Sequence, residues 1–85
     1  MDSNRRFHYV YILRSLKVEG AHYTGSTDDL HKRLAKHNAG EVPHTQKYKP
    51  WTIETALAFS DMSKALAFER YLKTGSGRAF ARKHL

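Results

Sequence analysis

The 85-residue chain predicts one small α+β domain, a three-stranded antiparallel or mixed sheet flanked by helices, in the order β-β-α-β-α with a short helical tail. Two observations carry that expectation. Phe7–Arg14 and Trp51–Phe59 are rich in aromatic and β-branched residues with strand period, whereas the stretches around Leu30 and Met62 space their apolar residues as helices do. Turn residues separate these runs, with Gly20, Gly40, Pro50 and Gly75 falling between them.

Taken in order, Met1–Arg6 is polar with no apolar h-region, so residues 1–6 are expected to be a disordered leader ahead of a single domain over 7–85. Phe7–Arg14 alternates Phe7, Tyr9, Tyr11 and Leu13 with Val10 and Ile12, the pattern of an inner strand covered on both faces. Ser15–Ala21 turns the chain, and Ala21–Gly25 returns as the second strand of a hairpin. Ser26 and Thr27 offer N-cap oxygens, Asp28 and Asp29 complement the dipole of the first turn, Leu30 and Leu34 give a stripe, and Gly40 stops the helix.

Glu41–Pro50 is the one long loop, of the kind that often carries function. Trp51–Phe59 sets Trp51, Ile53, Leu57 and Phe59 against Thr52, Glu54, Ala56 and Ala58, a strand with one face well buried. Asp61–Thr74 follows as a helix capped by Ser60 or Asp61, with Met62, Ala65, Leu66 and Leu72 as its apolar stripe. Gly75-Ser76-Gly77 breaks it, and Arg78–Leu85 adds a last basic turn or two.

Composition narrows the function. A net charge of +7 favours a polyanionic partner, because clustered Lys and Arg release counterions from nucleic acid. An anionic membrane surface fits less well, since no segment joins a Lys/Arg-rich face to a large apolar one. The longest apolar runs, Tyr9–Leu13 and Ala56–Phe59, fall far short of the ~20 residues of a membrane span, so no membrane is expected. Without cysteine there is neither a disulfide nor a thiolate zinc site, which agrees with a reducing cytoplasm. His31 and His37 are wrongly spaced to share a zinc ion on one helical face.

Glu69 is the most informative position. It lies in the middle of its helix's apolar stripe, and an inward carboxylate needs a cation, from a side chain or a metal. Tyr11 and Tyr23 fall on neighbouring strands, and Arg33 and His37, four apart, share a face of the first helix. Phosphodiester hydrolysis asks for such a set: an oriented water, a proton acceptor, a cation facing the phosphorane, and a carboxylate-held metal. Singly, each residue has a plainer reading. Glu69 pairs with an arginine of the first helix, the tyrosines are amphipathic core, Arg33 is solvated, and His37 sits at a helix end.

Tyr9-Val10-Tyr11, Tyr23-Thr24-Gly25, Arg33, His37, and Glu69 followed by Leu72-Lys73 together resemble the GIY-YIG nuclease domain, from about Tyr9 to about Arg78. The chain is most similar to small stand-alone bacterial members, themselves similar to the catalytic domain of the branched-DNA structure-specific endonuclease. The resemblance implies a divalent-metal-dependent endonuclease acting on DNA, branched or single-stranded, with RNA also open, of the repair or recombination type. Tyr11 would orient or deprotonate the attacking water, and Tyr23 would support water or phosphate. Gly25 would allow close packing where strand meets helix. Arg33 would neutralise the scissile phosphate, His37 would carry a proton or bind phosphate, and Glu69 would hold Mg²⁺ or Mn²⁺.

Phosphate contacts are expected from Lys36, Lys47, Lys49, Lys73, Arg78 and Arg82, with little base reading. Two positions depart from the common family pattern: Ser26 stands where many members have lysine, and Thr74–Leu85 contains no asparagine. The alternatives are a catalytically weak nucleic-acid-binding module working with a partner protein, or a basic protein-interaction domain.

Overall fold

Strand β1 (His8–Ser15) is the centre of the molecule because both of its faces are apolar: Val10, Tyr11, Ile12 and Leu13 are all buried. The computed structural model describes residues 6–85, so the expected leader lies outside the described residues apart from Arg6. The chain continues through β2 (His22–Thr27), α1 (Leu30–Asn38), a 3₁₀ turn at Gln46–Tyr48, β3 (Trp51–Phe59), α2 (Met62–Leu72) and α3 (Gly75–His84). The sheet runs β2-β1-β3 and is antiparallel throughout, which bears out the expected three-stranded α+β fold and settles the antiparallel-or-mixed choice. No helix among the described residues is long and apolar enough to cross a membrane.

Helices cover both faces. Leu30 and Leu34 of α1 pack on Tyr11, Leu13 and Trp51. On the opposite face Ala65, Phe68 and Leu72 of α2, with Phe80 and Ala81 of α3, pack on Val10, Ile12 and Phe59. Burying a side chain such as Leu72 contributes about 1.5–3 kcal/mol, so these two clusters supply the main cohesion of a small domain.

Four expectations need correction. β3 does not bury one face. Ile12 pairs with Thr55 and Leu13 with Ile53, so Glu54 is the extra residue of a β-bulge. A one-residue insertion reverses the side-chain alternation, which sends Trp51 and Ile53 to the α1 face and Leu57 and Phe59 to the α2 face.

Ser26 and Thr27 do not cap α1; both are still in strand β2, paired with Val10 and Tyr9. Asp29 caps instead, its carboxylate accepting from the Lys32 N–H, while Thr27 Oγ1 accepts from the Asp29 N–H. Met62 is not part of the α2 stripe. It opens the helix 57% exposed, and Phe68, stacked 5.6 Å from Phe59, fills the stripe position.

Gly75-Ser76-Gly77 is not a break but the first turn of α3. The Thr74 hydroxyl accepts from the Gly77 N–H, and each helical glycine costs only ~1 kcal/mol. Gly77 is needed there because α3 crosses the end of α2 at backbone contact: a Cβ would meet the Tyr71 carbonyl and stand 2.7 Å from Leu72 Cα. Asp61 does cap α2, and Gly40, at φ +79, ends α1 in the left-handed conformation that favours glycine.

Candidate active site

The site begins with a missing side chain. Gly25 pairs with Tyr11, and a Cβ at position 25 would stand 2.6 Å from the Tyr11 hydroxyl. The glycine therefore makes room for a phenol lying across the edge strand, rather than for the strand-to-helix packing expected of it. Tyr23 flanks that phenol at a ring separation of 6.4 Å and lies 5.0 Å from the His37 ring.

His37 is fully buried at the end of α1. Its Nε2 is 3.0 Å from the Tyr11 hydroxyl, and its Nδ1 is 2.7 Å from Thr45 Oγ1. Thr45, also buried, lies 3.3 Å from the Val42 carbonyl. A carbonyl can only accept, so Thr45 donates to it and takes the Nδ1–H of the imidazole. We assign the tautomer from this chain: Nε2 keeps its lone pair and accepts from the Tyr11 O–H. Burial, then the Arg33 charge, holds His37 below its ordinary pKa of 6.5, so the ring is neutral. Burial pushes the Tyr11 phenol up, only partly offset by Arg33.

Arg33, one turn before His37 on α1, faces the same pocket. The Tyr11 hydroxyl beside it raises its pKa further. Its Nε is buried and finds no hydrogen-bond partner among the described residues. The side chain also borders a cleft of about 180 Å³ with Thr27, Asp28, Asp29, Lys32 and Lys36, open to solvent.

Glu69 approaches the same edge strand from α2. Its Oε1 accepts from the Ser26 hydroxyl at 2.8 Å, next to Gly25, and its Oε2 pairs with Lys73 at 2.9 Å. The carboxylate is half-buried, with the side chain 17% exposed. Burial pushes its pKa up, but Lys73 and Ser26 more than reverse this and hold it below the ordinary value. Its partner is thus Lys73 of its own helix and not an arginine of α1. Its charge is felt at Tyr11, where it adds to the rise.

The structure therefore gathers Tyr11, Tyr23, Arg33 and His37 directly, with Glu69 beside them through Ser26. Lys36 lines the Arg33 cleft, Lys47 lies over the Tyr48 ring, Lys49 reaches Gly40, and Lys73 is engaged by Glu69. Arg78 and Arg82 stand elsewhere, lining a groove on the α3 side of the sheet. Thr45 was absent from the sequence expectation. It lies in a loop, where no periodicity marks a buried hydroxyl. The loop is pinned by Trp51 Nε1 donating to the Thr45 carbonyl at 3.0 Å and by Ser15 Oγ donating to Tyr48 at 2.6 Å. Among the described residues no three His, Asp or Glu side chains form a ready metal cage.

The family model of the GIY-YIG catalytic domain matches residues 7–83. A UPF0213 protein of Halobacterium salinarum is 34% identical over 67 residues, covering 78% of this chain and 84% of that protein. The UPF0213 protein YazA of Bacillus subtilis is 34% identical over 74 residues, covering 86% of this chain and 71% of YazA. The structure-specific endonuclease subunit slx1 of Talaromyces marneffei is 36% identical over 69 residues, which is 74% of this chain but 18% of that protein. No solved structure matches. With a family match that spans nearly every described residue, this chain belongs to the GIY-YIG catalytic domain family.

Proposed function

We propose that the chain is a divalent-metal-dependent endonuclease that hydrolyses phosphodiester bonds in DNA, choosing its substrate by structure or backbone. The observation that supports this best is the buried Tyr11–His37–Thr45 chain set beside an arginine with an unpartnered Nε. Tyr11 passes its proton to Nε2 of His37 as its oxygen takes one from the attacking water. The hydroxide so formed attacks phosphorus, the P–O bond to the leaving sugar breaks, and solvent protonates the departing oxygen.

Arg33 meets the charge that grows on the phosphorane, its Nε–H not being spent on protein. Tyr23 orients the water or a phosphate oxygen. Glu69 and the Ser26 hydroxyl are hard oxygen donors of the kind Mg²⁺ or Mn²⁺ prefers, the remaining ligands being water and phosphate. A cation held there would offset phosphate charge, once Lys73 has moved off the carboxylate. Lys36, Lys47 and Lys49 guide the backbone. The slx1 resemblance makes branched DNA the first substrate to try, which suits a role in repair or recombination, and the absence of cysteine suits a cytoplasmic place for it.

A second reading has its own support. Both oxygens of Glu69 are already engaged by Ser26 and Lys73, which favours a catalytically weak module that binds nucleic acid alongside a partner protein. One experiment separates the two: labelled linear, flapped and branched DNA, and RNA, incubated with Mg²⁺, Mn²⁺ or EDTA beside Glu69→Ala. The endonuclease reading expects metal-dependent cleavage that falls about 100-fold or more in the variant with binding kept. Binding without cleavage on every substrate selects the module instead.

A further inference from the structure

A cavity of about 580 Å³ borders the tyrosine cluster at Tyr23 and extends away from it. It is a groove on the other face of the sheet, between α3 and the β2 end of β1. The volume falls within the ~300–1,000 Å³ of small-molecule clefts. Ile12, Leu72 and Ala81 form its apolar part, Arg78 and Arg82 one wall, and His22, Thr24 and Glu54 the other.

The charges of the two walls differ in kind. Glu54 is already held by His22 at 3.2 Å and by Arg14 at 3.9 Å. Arg78 and Arg82, four apart and so on one face of α3, have no carboxylate partner among the described residues. An occupant must therefore offer an anion to two guanidiniums and a flat apolar body to three aliphatic side chains. An acidic peptide lacks the apolar plane, and inorganic phosphate lacks all but the charge.

We propose that this groove holds one unpaired nucleotide of a single strand, its base on Ile12, Leu72 and Ala81 and its phosphate on Arg78 and Arg82. β2 is an edge strand; the Tyr23 ring packs on His37 of the cluster while Tyr23 and Thr24 both border the groove. A strand rounding that edge reaches both places, which fits a substrate with a junction between paired and unpaired segments. A bidentate guanidinium–phosphate pair fixes orientation as well as charge.

The proposal depends on the nucleic-acid reading only for the class of ligand, so it is tested by binding in EDTA, where cleavage plays no part. ¹⁵N-labelled protein is titrated with a single-stranded deoxycytidine hexanucleotide and, separately, with its duplex. The amides of Thr24, Arg78, Ala81 and Arg82 should shift with the single strand and far less with the duplex. Arg78→Gln/Arg82→Gln should weaken those shifts about tenfold while Arg33 and Lys36 still respond, and Arg78→Lys/Arg82→Lys should restore part of the loss. Unchanged far-UV circular dichroism keeps the variants comparable.

Shifts confined to Arg33 and Lys36 would overturn the proposal, as would groove shifts that survive in the glutamine variant. Equal groove shifts with the duplex, with inorganic phosphate or with polyglutamate would do the same. Groove shifts in a protein that cuts nothing would sink the nuclease and leave the groove standing. Cleavage without groove shifts would do the reverse.

Discussion

A neutral imidazole can take a proton from a phenol only if its other nitrogen is committed as a donor, and Thr45 supplies that commitment. Thr45→Val keeps the shape and removes the oxygen, leaving Nδ1–H buried without an acceptor. Stability should fall by about 1–3 kcal/mol in urea denaturation, and cleavage by about tenfold or more, while Thr45→Ser recovers both. Valine behaving like wild type in both assays would remove the proton-relay role. A pH dependence follows from the same pair. Because burial and Arg33 hold His37 below 6.5, the unfolded chain takes up a proton between 6.5 and the lower folded value that the folded chain refuses. Stability is therefore flat above 6.5 and declines as pH falls through that window. Cleavage should show an acid limb over the same range and a plateau at neutral pH, measured under single-turnover conditions. A rate that stays flat through the pH at which the His37 ring is seen to protonate by NMR would exclude His37 as the acceptor.

Helix α3 stands or falls on how closely it crosses α2. Gly77→Ala puts a methyl group against the Tyr71 carbonyl, which is backbone and cannot swing aside as a side chain would. The expected loss is about 1–3 kcal/mol or more, by urea denaturation, with α3 displaced and the Phe68–Phe80 contact opened. Gly75→Ala, with nothing within 4 Å of its Cβ, is the control and should be neutral or stabilising. The sequence hid this because Gly-Ser-Gly is an ordinary helix stop, and only the tertiary crossing turns it into a first turn. The bulge at Glu54 was equally illegible: Trp51, Ile53, Leu57 and Phe59 keep perfect alternation, and the extra residue exists only relative to β1. By contrast β1, the order of elements, the Asp61 cap and the Gly40 stop were legible because each depends on local pattern alone. Glu69 could be named because periodicity turns it inward, and Tyr11, Tyr23, Arg33 and His37 because neighbouring strands and one helix face group them in an order that resembles the family's motifs. Thr45 and the space above Gly25 could not, since both exist only through long-range contact.

Two groups of basic residues lie on opposite faces of the sheet. Lys32, Arg33 and Lys36 line the cleft on the α1 side, and Arg78 and Arg82 the groove on the α3 side. Affinity for nucleic acid should record that division. Each phosphate neutralised contributes a slope of about −0.9 for duplex and about −0.7 for single strand to the logarithm of the binding constant against that of salt concentration. Duplex affinity between 50 and 200 mM salt, measured by fluorescence anisotropy, should have a slope set by Arg33, Lys36, Lys47 and Lys49 without Arg78 and Arg82. A single strand that rounds β2 engages Arg78 and Arg82 as well, which contribute about −1.4 to its slope. Arg78→Gln/Arg82→Gln should then lower the single-strand slope by about 1.4 and leave the duplex slope where it was, because only the unpaired strand crosses to the far face. Were both slopes to fall together, the two sets of cations would belong to one continuous surface, and β2 would not divide the nucleic acid at all.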